Sequence, residues 1–391
     1  MKPENFIDNF GRSESLWMYA CSRCGACVDV CPVYTETGDK YTAPGFKIKK
    51  MRGLLTKKLM PFLGGANPEN VKRVVKGLYE CTLCGRCWAV CPYNYDLVSL
   101  WEKARESAFE TGFGLDPHIE MIGALKAEKN IFKRPDASRR DWTKGLDVPI
   151  KEKADTIYFV GCLMSYRGQL KPAAKAMATI LNSAGENWTI LEGEVCCGAP
   201  LRFSGGTRDM EELMETNIKA IESTGARKLV FSCPGCYRMF WQEYSTALRG
   251  KIRMLHAIEL IDNYVKSGKI KFKDKTEERI TYHDPCELSR LSGVIEEPRH
   301  VFASLTTQFV ELPGNKFNVV CCGGGGLYKA VDLDKSREIA KKRVALAEQM
   351  GATTLTTACP SCYMTISQAA RFKKSNVKVI DFAEAVASQV E

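Results

Sequence analysis

Ten of the eighteen cysteines in this 391-residue chain fall into two sets of five. The first is Cys162, Cys196-Cys197-Gly198 and Cys233-Pro234-Gly235-Cys236, and the second is Cys286, Cys321-Cys322-Gly323 and Cys359-Pro360-Ser361-Cys362. Gaps of thirty-three and thirty-five residues separate the groups of the first set, thirty-four and thirty-six those of the second, so the two blocks are an internal duplication. Four thiolates complete one tetrahedral metal or one cubane cluster; a fifth, with two adjacent in sequence, points to something larger than a zinc site. A metal-free dithiol couple would need only the vicinal pairs, and it leaves the rest of each set unexplained.

The other eight cysteines form two runs sixty residues apart: Cys21, Cys24, Cys27, Cys31-Pro32, and Cys81, Cys84, Cys87, Cys91-Pro92. This is the bacterial ferredoxin spacing, in which the fourth cysteine of each run ligates the cluster of the other. On that rule Cys21, Cys24, Cys27 and Cys91 hold one [4Fe-4S] cubane, and Cys81, Cys84, Cys87 and Cys31 hold a second. Zinc would use Cys-x2-Cys pairs but would not want the third and fourth cysteines at these offsets twice.

The five-cysteine blocks resemble the CCG cysteine-rich domain of heterodisulfide reductases. The resemblance implies that Cys162, Cys196, Cys197, Cys233 and Cys236 hold one noncubane [4Fe-4S] cluster, that Cys286, Cys321, Cys322, Cys359 and Cys362 hold another, and that a disulfide is cleaved between them. The N-terminal runs, with forty-nine residues between them, are similar to the helical dicluster ferredoxin module of those enzymes. The whole therefore resembles the D-like form of heterodisulfide reductase, in which both modules are fused in one chain. The resemblance implies electrons entering from a partner, a flavoprotein of a bifurcating complex or a cytochrome b, within a hetero-oligomer. Proteins with CCG domains also occur as electron relays without a substrate, in flavin-dependent hydroxy-acid and glycerol-3-phosphate dehydrogenases and beside benzoyl-CoA reductases. That reading stays open.

The elements that must position these cysteines follow from periodicity. Met51–Met60, Glu69–Leu78 and Leu97–Phe109 carry apolar residues at helical spacing. From Thr156 strands alternate with helices: strands at Thr156–Val160, Trp188–Leu191 and Lys228–Phe231, then Ile280–His283, Phe309–Leu312, Thr353–Thr356 and Val377–Ile380. Helices are expected at Leu170–Leu181, Met210–Ile221, Tyr237–Leu248, Ser336–Met350 and Phe382–Val390. The alternation predicts parallel sheets, with the cysteine loops outside the carboxyl ends of the strands. The expected order is a helical ferredoxin domain over 1–113, a linker over 114–153, and α/β CCG domains over 154–270 and 271–391.

Composition narrows the class. Net charge is +10, but the aromatic residues do not interleave with the basic ones as a nucleic-acid groove requires. The basic stretch from Lys40 to Lys76 is either a solvated helix face or a dock for an acidic partner. Neither a secretory leader nor a run of eighteen apolar residues is expected, which reads as a reducing, cytoplasmic location, membrane-associated only through a partner. Gly323-Gly324-Gly325-Gly326 lacks the spacing and the acid of a dinucleotide fingerprint, so no NAD site is expected, nor flavin or haem. These glycines instead let backbone close round a cluster and donate amides to its sulfides. His283 stands where a proton donor to a leaving thiolate would be, and equally where a backbone-bonded histidine would. Arg167, Arg290 and Lys329 follow ligand cysteines and could neutralise an anionic substrate or the cluster itself.

Overall fold

The computed structural model describes residues 3–60, 62 and 67–391; Met1 and Lys2, which open the expected helical domain, lie outside the described residues. The chain folds as two compact units that do not follow it in order. One comprises Met1–Gly123, Pro200–Asp209 and Val320–Ala340; the other comprises Ala124–Ala199, Met210–Val319 and Lys341–Glu391.

The first unit is helical: α1 (Arg12–Ala20), α2 (Pro44–Leu59), α3 (Pro68–Tyr79), α4 (Leu97–Glu110) and the start of α5 (Asp116–Glu128). Proline at the first turn of α2 and α3 removes an amide that would have no partner there. Asn67 caps α3 by accepting from the Glu69 and Asn70 amides at 2.9 and 3.3 Å, and Asp96 caps α4 through Val98 and Ser99. One face of α3, with Val71, Val74, Val75 and Leu78, is buried with Met18, Met51, Leu100 and Trp101. The two outlying segments of this unit come from, or directly follow, the Cys-Cys-Gly groups of the two repeats. The first is pinned by Arg202 to Glu102 at 2.9 Å and by the Tyr79 hydroxyl donating to the Ser204 carbonyl at 2.9 Å, and both Phe203 and Val331 pack on the helical core. The basic stretch is not one solvated face: Lys47 is buried, and Lys58 is paired with Asp8 at 2.7 Å.

The second unit contains two four-stranded sheets, all parallel, in the orders β2-β1-β3-β4 and β6-β5-β7-β8. The first repeat runs β1 (Thr156–Phe159), α6 (Gly161–Tyr166), α7 (Lys171–Ser183), β2 (Trp188–Thr189), α8 (Glu211–Thr224), β3 (Lys228–Phe231), α9 (Pro234–Met239), β4 (Arg253–His256) and α10 (Ala257–Lys266). The second runs β5 (Thr276–Tyr282), α11 (Cys286–Ser292), α12 (Glu297–Leu305), β6 (Thr306–Glu311), α13 (Leu333–Gln349, which begins in the first unit), β7 (Thr354–Thr357), α14 (Pro360–Lys373), β8 (Lys378–Asp381) and α15 (Phe382–Ala387).

Three local differences from expectation have physical reasons. The helix expected at Tyr237 starts at Pro234, because proline suits a first turn, and it widens into a π-helical turn over Phe240–Tyr244 before ending at Leu248. Strand β4 and helix α10 were not expected from sequence. His256 caps α10, with Glu259 closing a reciprocal capping box. The segment 114–153 is not a bare linker: it holds α5 and a 3-10 helix over Asp136–Thr143 that buries Arg139 and Trp142.

Packing within this unit repeats the duplication in space. Helix α6 touches α14 and α9 touches α11, while α7 touches α15 and α10 touches α12. Each contact has its equivalent with the copies exchanged, so the two sheets are related by an approximate two-fold. The helices that carry Cys162 and Cys236 therefore lie against those that carry Cys362 and Cys286.

Candidate metal centres

In the helical unit, each ferredoxin turn starts from a glycine with positive φ, Gly25 at 88° and Gly85 at 72°, which lets the chain reverse round its thiols. A cavity of about 210 Å3 is lined by Cys21, Cys24, Cys27 and Cys91, together with Arg23, Lys49, Tyr93 and Tyr95. Cys24 is exposed, and the other three are half-buried. A second, tighter cavity is lined by Cys31, Cys81, Cys84 and Cys87 with Trp101 as one wall. Each group draws one cysteine from the opposite run. Burial pushes the Cys31 thiol up to about 11 although Lys47 works against it, and it raises Cys87 despite the Trp101 indole N–H. That indole nitrogen is buried, with the Cys87 sulfur as the one acceptor near it. Four soft sulfurs round one hollow, with an indole N–H beside one of them on its wall, suit a cubane whose sulfurs accept hydrogen bonds.

In the α/β unit, Cys162 follows β1 and Cys233 caps α9 after β3. These neighbouring central strands send their connections to opposite sides, so the cysteines stand at the switch point where open α/β sheets bind ligands. Cys196 and Cys197 reach the same place from the loop after β2. The five thiols are within hydrogen-bonding reach in the order Cys162, Cys196, Cys197, Cys236, Cys233. Hydrogen bonds from Cys196 and then Cys236 hold the Cys197 thiol down to about 6 against burial. Gly161 is in the left-handed region at φ 75°, and a Cβ there would lie 3.1 Å from the Cys236 sulfur. The Cys-Cys backbone is fixed from behind: Asn217 donates to the Cys196 carbonyl at 3.2 Å and the Tyr244 hydroxyl to the Cys197 carbonyl at 3.1 Å.

One flank of this site carries a buried charge pair. Arg139 donates to Glu194 at 2.9 Å and reaches the Cys162 sulfur at 3.8 Å, and Glu194 accepts the Val160 and Gly161 amides at 2.9 Å each. Burial works to lower the pKa of the guanidinium, but the Cys162 sulfur and the Glu194 carboxylate push it above the ordinary value. Arg139→Leu leaves a buried carboxylate without its cation and is expected to cost about 3–5 kcal/mol. Denaturant unfolding checks this; an unchanged midpoint would mean that the pair contributes nothing.

In the second repeat Cys286 and Cys359 take the places of Cys162 and Cys233. Cys286 opens α11 after β5, Cys359 caps α14 after β7, and the Cys362 amide donates to the Cys359 sulfur at 3.5 Å. The Gly323 and Gly324 amides donate to the Cys321 and Cys322 sulfurs at 3.4 Å. All five cysteines are buried, and none of the eighteen is in a disulfide. His283 is fully buried beside Cys362, its pKa lowered to about 3 by burial, with both ring nitrogens lacking a hydrogen-bond partner and its backbone amide on Thr356. Arg290 spends its guanidinium on the Phe317 and Val319 carbonyls, so it fixes the approach to Cys321. Arg167 is exposed and stacked 4.5 Å over Phe132, and Lys329 is half-buried in a short helix over Tyr328–Val331. Sequence reasoning missed Arg139, Glu194, Asn217 and Tyr244, none of which has a spacing signal.

The cysteine-rich domain family CCG matches residues 156–241 and 280–367, and the 4Fe-4S dicluster domain family matches 17–95. The D-subunit of dihydromethanophenazine:CoB–CoM heterodisulfide reductase from Methanosarcina barkeri is 33% identical over 94% of this chain and 93% of its own length. The chain belongs to the D-like family of heterodisulfide reductase subunits. Members are iron–sulfur oxidoreductase subunits, and this chain is one of them. The EtfAB:quinone oxidoreductase of Syntrophomonas wolfei is also similar, 24% identical over 98% of this chain and 60% of that protein. In fold, the chain resembles a hypothetical protein from Helicobacter pylori, with a TM-score of 0.56 at 11% identity, covering 98% of this chain and 73% of that one. Among the described residues no helix is long and apolar enough to cross a membrane.

Proposed function

We propose that this protein takes single electrons from a partner and delivers two of them, with two protons, to a disulfide, giving two thiols. Cys21, Cys24, Cys27 and Cys91 hold one [4Fe-4S] cubane, Cys31, Cys81, Cys84 and Cys87 a second, and each five-cysteine set a noncubane [4Fe-4S] cluster. When bound, such clusters store and pass single electrons and, at the noncubane sites, offer iron to a substrate sulfur. The observation that carries the reading is the five-thiol chain at a strand switch point, in a cysteine pattern present complete in both repeats. The residues themselves have separable tasks. Asn217 and Tyr244 lock the Cys196-Cys197 backbone, Gly161 leaves room for the Cys236 sulfur, and Arg139 sets a fixed positive charge against the thiolates. The exposed Cys24 side, with Lys49 and Arg23 on its wall, is the face for the electron donor. The donor is a flavoprotein or a cytochrome b within a hetero-oligomeric complex.

A second reading, an electron relay with no substrate of its own, has one observation in its favour. Arg167 lies on Phe132 and Arg290 on two carbonyls, so neither is held ready for an anionic substrate. Single turnover separates the two. The dithionite-reduced chain, free of partners, is mixed with a panel of small disulfides, and stoichiometric thiol release is expected, lost in Cys197→Ser. Failure of every disulfide to reoxidise the chain would leave the relay.

A further inference from the structure

Two fully buried cations lie beside the second ferredoxin site, and neither makes an ion pair with a carboxylate among the described residues. Arg105, 0% exposed, donates only to backbone carbonyls: Leu78 at 3.0 and 2.9 Å, Tyr79 at 3.4 Å, Cys81 at 2.6 Å, and Phe203 and Gly326 at 2.7 Å each. Lys47, 1% exposed, donates to the Gly77 carbonyl at 3.4 Å and sits 4.7 Å over the Trp101 ring, the ring that walls the cavity of Cys31, Cys81, Cys84 and Cys87. Carbonyl dipoles solvate a cation in part, but a buried charge without a counter-charge is costly, and here there are two. The first ferredoxin site has nothing comparable, since it is open to water at Cys24 and its basic neighbours Arg23 and Lys49 are exposed.

The asymmetry points to a permanent anion at the second site. A [4Fe-4S] core with four thiolates carries net negative charge, and one-electron reduction adds one more unit. A cation held near it stabilises the reduced form more than the oxidised form, and the effect is large where water is excluded. Burial alone works the other way, because it removes the water that would stabilise the added electron. We propose that Lys47 and Arg105 are the counter-charges of the site formed by Cys31, Cys81, Cys84 and Cys87. They raise the reduction potential of the cluster held there above that of the cluster at Cys21, Cys24, Cys27 and Cys91.

This rests on the cysteine assignments given under the proposed function. An electron entering at the exposed site then leaves that site oxidised and settles at the buried one. Arg105 adds a mechanical consequence, because its guanidinium ties the Cys81 carbonyl directly to Gly326, four residues beyond Cys322, and to Phe203 in the corresponding segment of the first repeat. The charge that tunes the site also fixes the backbone next to the following cysteine set.

The test uses the full chain purified anaerobically, with iron content measured first and both midpoint potentials then followed by electron paramagnetic resonance during a dithionite titration. In the unaltered protein the first electron is expected at the buried site. Lys47→Met should lower one midpoint by at least the equivalent of a tenfold change in the one-electron equilibrium, about 59 mV, and leave the other where it was. Lys47→Arg keeps the charge and should restore most of the shift. Arg105→Gln should move the same midpoint in the same direction; Lys47→Met keeps the test decisive if Arg105→Gln does not fold. Equal midpoints in Lys47→Met and the unaltered protein, at unchanged iron content, would overturn the proposal, as would a shift of both clusters alike. Iron far below about sixteen atoms per chain in the unaltered protein would instead count against the cysteine assignments.

Discussion

Cys31→Ser is expected to unload the site formed by Cys81, Cys84 and Cys87 while the site formed by Cys21, Cys24 and Cys27 keeps its cluster, and Cys91→Ser is expected to do the reverse. The reason is geometric: Cys31 lines the cavity of the second run and Cys91 that of the first. Each change removes a quarter of one donor set and none of the other. Iron should fall by about four atoms per chain, and the surviving resonance should belong to the run that carries the substitution. The second site should suffer more than the first, because its partners Cys84 and Cys87 are buried whereas Cys24 of the first is exposed to water. Loss of the cluster in the substituted run itself would refute the exchange.

The other large effect is expected at Gly325. A Cβ there would lie 2.6 Å from the Thr82 carbonyl oxygen, and at Gly326, with φ 55°, it would lie 2.7 Å from that of Cys81. These obstacles are backbone and cannot rotate away. Gly325→Ala must push the segment after Cys322 off the Cys81-Thr82 turn, at a cost on the order of 3 kcal/mol, and must disturb the second ferredoxin site with it. The check is the unfolding midpoint together with the resonance of that cluster. Gly53→Ala is the control: it lies inside α2 with nothing within 4 Å of the added methyl, and gains up to about 1 kcal/mol from helix propensity.

Much of this was legible from spacing because cysteine chemistry constrains spacing. The strands that deliver the cysteines overlap those expected, with Lys228–Phe231 matching to the residue and β5 and β6 starting three or four residues earlier than expected. Strand β4 escaped because Arg253-Met254-Leu255-His256 is short and begins on an exposed arginine. Its counterpart β8 was expected, and aligning the repeats would have exposed the omission. The glycine run was read as belonging to the cysteine motif, and the Gly323 and Gly324 amides lie on the cysteine sulfurs. Its close approach to Cys81-Thr82 joins positions more than two hundred residues apart, which no local pattern encodes. The same holds for the charges. In sequence Lys47 is one lysine in a basic stretch and Arg105 one arginine in a helix; what sets them apart is burial, and in Arg105's case carbonyls drawn from three distant segments.

The helical unit, although it is begun first, cannot be finished until late in synthesis. Its residues up to Gly123 leave the ribosome first, yet Pro200–Asp209 and Val320–Ala340 belong to the same compact body. Until position 340 has emerged, Arg105 lacks its Gly326 acceptor and the Cys81 turn lacks its cover. High contact order of this kind slows closure and leaves apolar surface waiting. The delay keeps the thiols of Cys31, Cys81, Cys84 and Cys87 reachable through most of synthesis, a window in which iron and sulfide can be delivered before the segment Val320–Ala340 closes over the Cys81 turn.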